Sequence, residues 1–110
     1  MNEQWQDICE IADIPPMSAV CALHQGQQVA IFNLSLLGEI KSIGNHDPIA
    51  NANVLSRGLI AEVDGRYVVA SPLYKQHFCL ETGECLQDSE IKVPVFDVRV
   101  NQSKVQLKIQ

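Results

Sequence analysis

The sequence has few aromatic residues, no basic cluster and no long apolar run, and the last two absences each exclude a class of protein. Phe, Trp and Tyr together make up 5% of the 110 residues, and the formal net charge is −5. Binding to phosphate groups needs clustered Lys or Arg, so nucleic acids and anionic membrane surfaces are not expected as partners. No apolar run reaches the roughly 20 residues that span a bilayer.

The first residues, from Met1 to Trp5, lack the basic start and apolar stretch of a secretory signal. We therefore expect a cytoplasmic protein whose thiols stay reduced. The sequence contains no Cys-x-x-Cys pair, and we interpret its cysteines as small apolar core residues rather than as disulfide partners. They are Cys9, Cys21, Cys79 and Cys85.

What the sequence does contain is turn residues at short intervals with brief β-rich runs between them, which is typical of a β-sandwich or small barrel. The length suits one domain, covering residues 1–110. Four hairpins are predicted, with Asp64-Gly65 as a strong turn signal. Their strand pairs are 20–24 with 29–33, 59–62 with 67–71, 78–81 with 84–86, and 95–100 with 105–109. Short helical turns are predicted at 8–12 and 52–55.

The third hairpin allows a prediction about its two cysteines. A two-residue turn at Thr82-Gly83 would pair Leu80 with Cys85 and Cys79 with Leu86. Adjacent strand residues point to opposite faces, so Cys79 and Cys85 would face opposite sides and could not form a disulfide.

Two segments between strands have the composition of functional loops. The first is Gly44-Asn45-His46-Asp47-Pro48-Ile49, and the second is Ser71-Pro72-Leu73-Tyr74-Lys75-Gln76-His77. The pair resembles the two cluster-binding loops of Rieske iron–sulfur domains, which read Cys-Pro-His and Cys-Pro-x-His. A hairpin with Phe, Thr and Gly follows the second loop in that family and also here, at residues 78–85.

Pro48 and Pro72 align with the prolines of the two Rieske loops and so set the register of the comparison. In this register the ligand positions of the resembled family are occupied by Asp47, Ile49, Ser71 and Tyr74. A Rieske cluster needs two thiolates and two imidazoles. An isoleucine donates nothing, and oxygen groups suit a soft iron–sulfur site poorly. We therefore expect no cluster, no metal and no catalytic centre on this chain.

A closer resemblance within that superfamily lies in the strings Asn-Val-Leu-Ser-Arg-Gly at 53–58 and Ser-Pro-Leu-Tyr-Lys at 71–75. They look like the small subunit of assimilatory NAD(P)H-dependent nitrite reductases. The resemblance implies an all-β, Rieske-like antiparallel β-sandwich with a small loop-bearing subdomain. It also implies a cluster-free subunit, structural or regulatory, of an oxidoreductase that reduces nitrite to ammonia. Flavin, siroheme and an iron–sulfur cluster are then expected on the large subunit, the expected partner.

The emptied loops are our candidate docking surface for that partner, formed by Asn45, His46, Asp47, Tyr74, Lys75 and His77. Other interpretations stay open: the histidines could be exposed loop residues or metal ligands, and Asp47 and Tyr74 could bond each other or face solvent. Lys75 and Arg57 could serve docking or be ordinary surface charges. His24, beside the first hairpin turn, is expected to be exposed. The rival functions are a Rieske-type electron-transfer ferredoxin and a free-standing interaction domain.

Overall fold

The computed structural model describes residues 4–34, 39–73 and 75–109. In these residues the chain forms β-strands and two short 3₁₀ turns, Ile11–Asp13 and Leu55–Arg57. The strands are β1 (Trp5–Glu10), β2 (Ser18–His24), β3 (Gln27–Leu34), β4 (Glu39–Gly44), β5 (His46–Asp47), β6 (Ala52–Asn53), β7 (Leu59–Val63), β8 (Arg66–Ala70), β9 (His77–Cys79), β10 (Glu84–Cys85), β11 (Asp88–Lys92), β12 (Val98–Asn101) and β13 (Lys104–Lys108). No helix among the described residues has the length and hydropathy that crossing a bilayer requires.

The strands form four antiparallel sheets, which confirms the predicted all-β fold. Two sheets have three strands, in the orders β1-β13-β12 and β2-β3-β4. The largest sheet has five strands in the order β11-β10-β9-β8-β7, and β5 with β6 makes a two-stranded ribbon. The sheet β2-β3-β4 lies between the other two large sheets, as the two hydrophobic clusters show.

Strand β3 supplies both clusters because successive strand residues point to opposite faces. Val29 and Ile31 pack with Leu107 of β13, whereas Ala30 and Phe32 pack into the cluster of the five-stranded sheet. The segment therefore reads as an unbroken apolar run, the pattern of a strand that is buried on both faces.

The first, second and fourth predicted hairpins are present as β2–β3, β7–β8 and β12–β13. In each, both central turn residues have positive φ, as a type I′ turn requires. These residues are Gln25 and Gly26, Asp64 and Gly65, and Gln102 and Ser103. The fourth hairpin begins at Val98 instead of the predicted Val95, which makes only an isolated bridge to Ile43.

The third hairpin has a longer connection than predicted. Cys85 pairs with Phe78 instead of Leu80, and residues 80–83 form the loop, closed by the Gly83 amide donating to the Cys79 carbonyl at 2.8 Å. A shift of two residues preserves which face each side chain occupies. Cys79 and Cys85 therefore still face opposite sides, although the predicted register is wrong.

All four thiols are free. Cys79 and Cys85 are buried, as expected of core residues, and Cys9 is half-buried. Cys21 is exposed, so the prediction that it is a core residue is wrong.

Both predicted helical turns are displaced. Residues 8–10 belong to β1, and the 3₁₀ turn begins at Ile11; residues 52–53 belong to β6, and the second 3₁₀ turn begins at Leu55. The strand β1 exists because it pairs with β13, where Trp5 lies opposite Lys108. Pairing with a strand at the other end of the sequence overrides the local preference for a helical turn. A local sequence pattern gives no sign of such a distant strand.

His24 is buried, with 1% of its surface exposed, so the expectation that it is exposed is wrong. Its Nδ1 lies 2.9 Å from Gln6 Oε1, and its Nε2 lies 3.2 Å from the Lys108 carbonyl oxygen. The ring stands edge-on to Phe96. Strands β1 and β13 cover this end of β2, which explains the burial.

Candidate functional site

The first loop is a narrow turn between β5 and β6 that is organised by one carboxylate. Asp47 Oδ1 accepts hydrogen bonds from the Ile49 amide at 2.9 Å and the Ala50 amide at 3.1 Å. Such bonds from an aspartate to the amides two and three residues on are the usual support of a turn. The Asp47 side chain has no exposed surface, so it is part of the interior.

Asn45 ties the base of this loop to two other elements. Its Nδ2 donates to Gln28 Oε1 at 3.1 Å, and its Oδ1 accepts from the Ser56 amide at 2.7 Å. The Asn45 carbonyl accepts from the Leu55 amide at 3.1 Å. Since Asn45 is 2% exposed, its amide group acts as a structural link between β3 and the second 3₁₀ turn.

The second loop follows β8 and closes on itself through Ser71. The Ser71 amide donates to the Gln76 carbonyl at 2.8 Å, and the Ser71 carbonyl accepts from the Lys75 amide at 3.1 Å. Lys75 has φ of 66°, a left-handed conformation that turns the chain back toward β9. Tyr74 lies outside the described residues.

The two loops meet at Asp47 and Ser71. The Ser71 hydroxyl donates to Asp47 Oδ2 at 2.5 Å, and both residues are fully buried. Two of the four positions that correspond to cluster ligands in the resembled family are thus joined directly. One of the two interpretations of Asp47, exposure to solvent, is excluded, because its carboxylate is buried.

The side chains at the four positions do not fit a Rieske cluster. The hydroxyl of Ser71 and both oxygens of Asp47 already have hydrogen-bond partners, and Ile49 is a hydrocarbon that packs beside a core cluster. The fourth position carries Tyr74 in the sequence. This set has no thiolate and no imidazole, the donors that hold such a cluster.

The two loop histidines have separate partners. His46 is exposed, and its Nδ1 lies 2.9 Å from Asn53 Oδ1. His77 is half-buried, and its Nδ1 lies 3.1 Å from Nε2 of the Gln87 side chain. Among the described residues, no three His, Cys, Asp or Glu side chains are grouped as a metal site would require.

The predicted docking residues separate into two groups. The Asn45 and Asp47 side chains are buried, so they cannot contact a partner directly, and this part of the predicted surface is corrected. His46 and Lys75 are exposed and His77 is half-buried, and for these three docking stays a prediction.

Exposed neighbours of Lys75 were missed, above all Leu59, which is 75% exposed. One feature of the sequence indicated that Leu59 lies near the site. Leu59 begins a predicted strand directly after Arg57-Gly58, next to the string that carried the family resemblance.

Comparison with known proteins agrees with this architecture. Residues 4–108 match the family model of the Rieske-like [2Fe-2S] domain. The nitrite reductase (NADH) small subunit of Salmonella typhimurium is 50% identical over 105 residues, which are 96% of this chain and 97% of that protein. The NMR structure of the E. coli protein NirD superposes with a TM-score of 0.89 at 46% identity, covering 98% of each chain.

Two more distant matches are informative. A nitrite reductase [NAD(P)H] large subunit from Klebsiella oxytoca is 36% identical over 104 residues, which are 94% of this chain but 11% of that protein. The ferredoxin of carbazole 1,9a-dioxygenase from Nocardioides aromaticivorans has a TM-score of 0.81 at 17% identity, covering 94% of this chain and 96% of that chain. At this identity the second match shows the fold alone.

The fold is that of a Rieske-like domain, with two loops at the end that holds the cluster in the resembled family. The chain belongs to the Rieske-like domain family, and nitrite reductase (NADH) small subunits from Salmonella typhimurium and E. coli are relatives that it matches along nearly their whole length. The family resemblance deduced from residues 53–58 and 71–75 is confirmed.

Proposed function

We propose that this chain is the small subunit of an NADH-dependent nitrite reductase and acts on a large catalytic subunit. The observation that carries the proposal is the 50% identity to a nitrite reductase (NADH) small subunit along nearly the whole of both chains. The reaction that this assembly performs would be the reduction of nitrite, to ammonia in the resembled family.

The Klebsiella oxytoca match supports assembly with a large subunit. There, a segment similar to this whole domain is part of a chain that is itself a large subunit. A domain that occurs in one chain with its partner is held beside it at a high effective concentration. We infer that the present chain achieves the same proximity through a non-covalent interface.

We also infer that the chain itself carries no iron–sulfur cluster. The support is chemical: Ile49 has no donor atom, and the oxygens of Asp47 and Ser71 are occupied by each other and by loop amides. Flavin, siroheme and an iron–sulfur cluster would then belong to the large subunit. The role of this chain would be structural or regulatory, through contacts that stabilise or position that subunit.

The test is co-expression with the cognate large subunit, followed by purification through a tag on this chain and assay of nitrite-dependent NADH oxidation. We expect the large subunit to co-purify, and the activity of the complex to exceed that of the large subunit alone. Failure of the large subunit to co-purify, with no effect of added chain on turnover, would overturn the proposal.

The rival function is a Rieske-type electron-transfer ferredoxin, and its separate test is the iron content and visible spectrum of the purified chain. We expect a colourless protein without bound iron. A brown chain with two irons would contradict the cluster-free proposal and leave the assignment to nitrite reductase intact. The cytoplasmic location stays a prediction.

A further inference from the structure

A small depression lies between the start of β7 and the loop that follows β8. Its volume is about 120 Å³ and its rim is formed by Arg57, Leu59, Pro72 and Lys75. At its floor two backbones meet closely, because a Cβ on Gly58 would lie 2.3 Å from the Ala70 carbonyl oxygen. Any side chain at position 58 would disturb this floor, so the depression depends on glycine.

The rim exposes apolar surface. Leu59 is 75% exposed, which no other large apolar side chain in the described part of the chain exceeds, and Pro72 is exposed beside the same depression. Single exposed apolar residues are common on soluble proteins. Leu59 and Pro72 together give this concave site an apolar edge, and contiguous exposed apolar surface is a mark of interaction sites.

The rim also carries two cations on an acidic protein. The chain has 8 Lys and Arg against 13 Asp and Glu, yet Arg57 and Lys75 both border this one depression. The salt bridges formed among the described residues involve Lys41 and Lys104 instead. Two cations that form no salt bridge with the described residues, beside an apolar rim, are complementary to an apolar group flanked by carboxylates.

The floor of the depression is held by the bond between the two loops. Ser71 lines the depression and donates its hydroxyl to the buried Asp47 carboxylate. The loop that carries Pro72 and Lys75 is therefore fixed at its first residue. A loop that is anchored at one end has fewer conformations to lose when a partner binds.

We propose that this depression is the docking site for the large subunit of the reductase, which inserts an apolar side chain flanked by acidic residues. The proposal rests on the function proposed above and adds the surface and the chemistry of its partner. The carboxylates would meet Arg57 and Lys75, and the apolar group would pack against Leu59 and Pro72.

A second copy of this chain is a poorer occupant. In a two-fold symmetric dimer the same patch is used by both copies, so Arg57 and Lys75 would face the same two cations. Like charges opposed across an interface disfavour association.

The test measures binding of the purified large subunit to the immobilised full-length chain by biolayer interferometry. Leu59→Asp places a carboxylate where the apolar contact is expected, and the double variant Arg57→Glu/Lys75→Glu reverses both rim charges. Each should weaken affinity about tenfold or more, the effect of losing a central contact. Added salt should weaken the wild-type complex more than the charge-reversed one.

Two control variants introduce a carboxylate elsewhere, one in place of an apolar residue and one in place of a single cation. Val100→Asp alters an exposed apolar residue in β12, and Lys92→Glu alters a cation in β11, at the opposite edge of the sheet from β7. Both should bind like wild type. Circular dichroism checks that each variant is folded, and the exposed cation pair provides a test should Leu59→Asp not fold.

The outcomes separate the two proposals. If wild type binds and both rim variants bind equally well, the docking site is wrong and the proposed function stands. If wild type does not bind the large subunit, the proposed function fails and the docking site fails with it. If the wild-type chain is a dimer that the rim charge reversal dissociates, the large subunit is the wrong occupant.

Discussion

The Ser71 hydroxyl donates a hydrogen bond to Asp47 Oδ2 across the two loops, at a distance of 2.5 Å between two buried residues. In the register of the resembled Rieske domains, these are two of the positions that hold cluster ligands. A hydrogen bond between two side chains of this chain thus joins the two loops that a metal cluster joins in that family.

Ser71→Ala tests the contribution of this bond to stability. The substitution leaves Asp47 Oδ2 buried without its partner, which should lower the free energy of unfolding by about 1–3 kcal/mol. The measurement is urea unfolding followed by circular dichroism. Ser89→Ala, at an exposed serine in β11, is the control and should change stability little. A Ser71→Ala variant as stable as wild type would contradict this role.

His24→Ala tests the link between two sheets. The variant removes the ring that bonds Gln6 and the Lys108 carbonyl, so the free energy of unfolding should fall by about 2 kcal/mol. His46→Ala is the matched control, because His46 is exposed and its ring bonds Asn53 across its own loop. Thermal unfolding of both variants gives the comparison. Equal losses in the two would show that burial of His24 contributes nothing.

Gly83→Ala and Gly65→Ala compare two glycines with nearly the same φ angle. Their φ angles are 79° and 80°, but a Cβ at Gly83 would lie 2.1 Å from the Val93 carbonyl oxygen, whereas nothing lies within 4 Å of one at Gly65. Gly65→Ala should cost about 1–2 kcal/mol of unfolding free energy, the conformational term alone. Gly83→Ala should cost clearly more, because the backbone at Val93, directly after β11, must also move away from the loop. Unfolding by guanidinium measures both, and equal losses would contradict the close contact.

The ion pair of Glu10 and Lys104 joins the chain's two ends, with Lys104 Nζ 2.7 Å from Glu10 Oε1. Hydrogen bonds from Lys104 and from Ser103 lower the pKa of Glu10 from its ordinary value of 4.5. The stabilisation is therefore present above pH 4.5 and is lost as the pH falls through the lower folded pKa. The hydrogen bond with Glu10 raises the pKa of Lys104 above 10.5, so this stabilisation is fully present below pH 10.5 and is lost as the pH rises through the higher folded pKa.

NMR titration of the Glu10 carboxyl carbon checks this prediction. The pKa of Glu10 should lie below 4.5 in wild type and move up in Lys104→Met. Lys92→Met, in a different sheet, should leave it unchanged. An unaltered Glu10 titration in Lys104→Met would show that the pair does not form in solution.

Much of the fold was predictable because it depends on short-range chemistry. Residue pairs such as Asp64-Gly65 adopt positive φ easily, and alternating side chains around them specify a hairpin. The strand β1 and the burial of His24 were not predictable, since both depend on contact with β13 at the other end of the sequence. The misplaced register of Cys79 and Cys85 has a different, local origin, because the same residues suit both a four-residue loop and a two-residue turn.

For the candidate site, the sequence alone determined which chemistry is present. The two loop segments contain Asp47, Ile49, Ser71 and Tyr74, which is known from the sequence without any fold. The side chain of an isoleucine has no donor atom for a metal in any conformation. Only the tertiary structure decided that Asp47 is buried and that its partner is Ser71. These residues are 24 positions apart, and β8 and β5 must pack in the same core before the hydroxyl can reach the carboxylate. The identity of a side chain limits what it can bind, whereas its partner depends on which distant strands the hydrophobic core brings together.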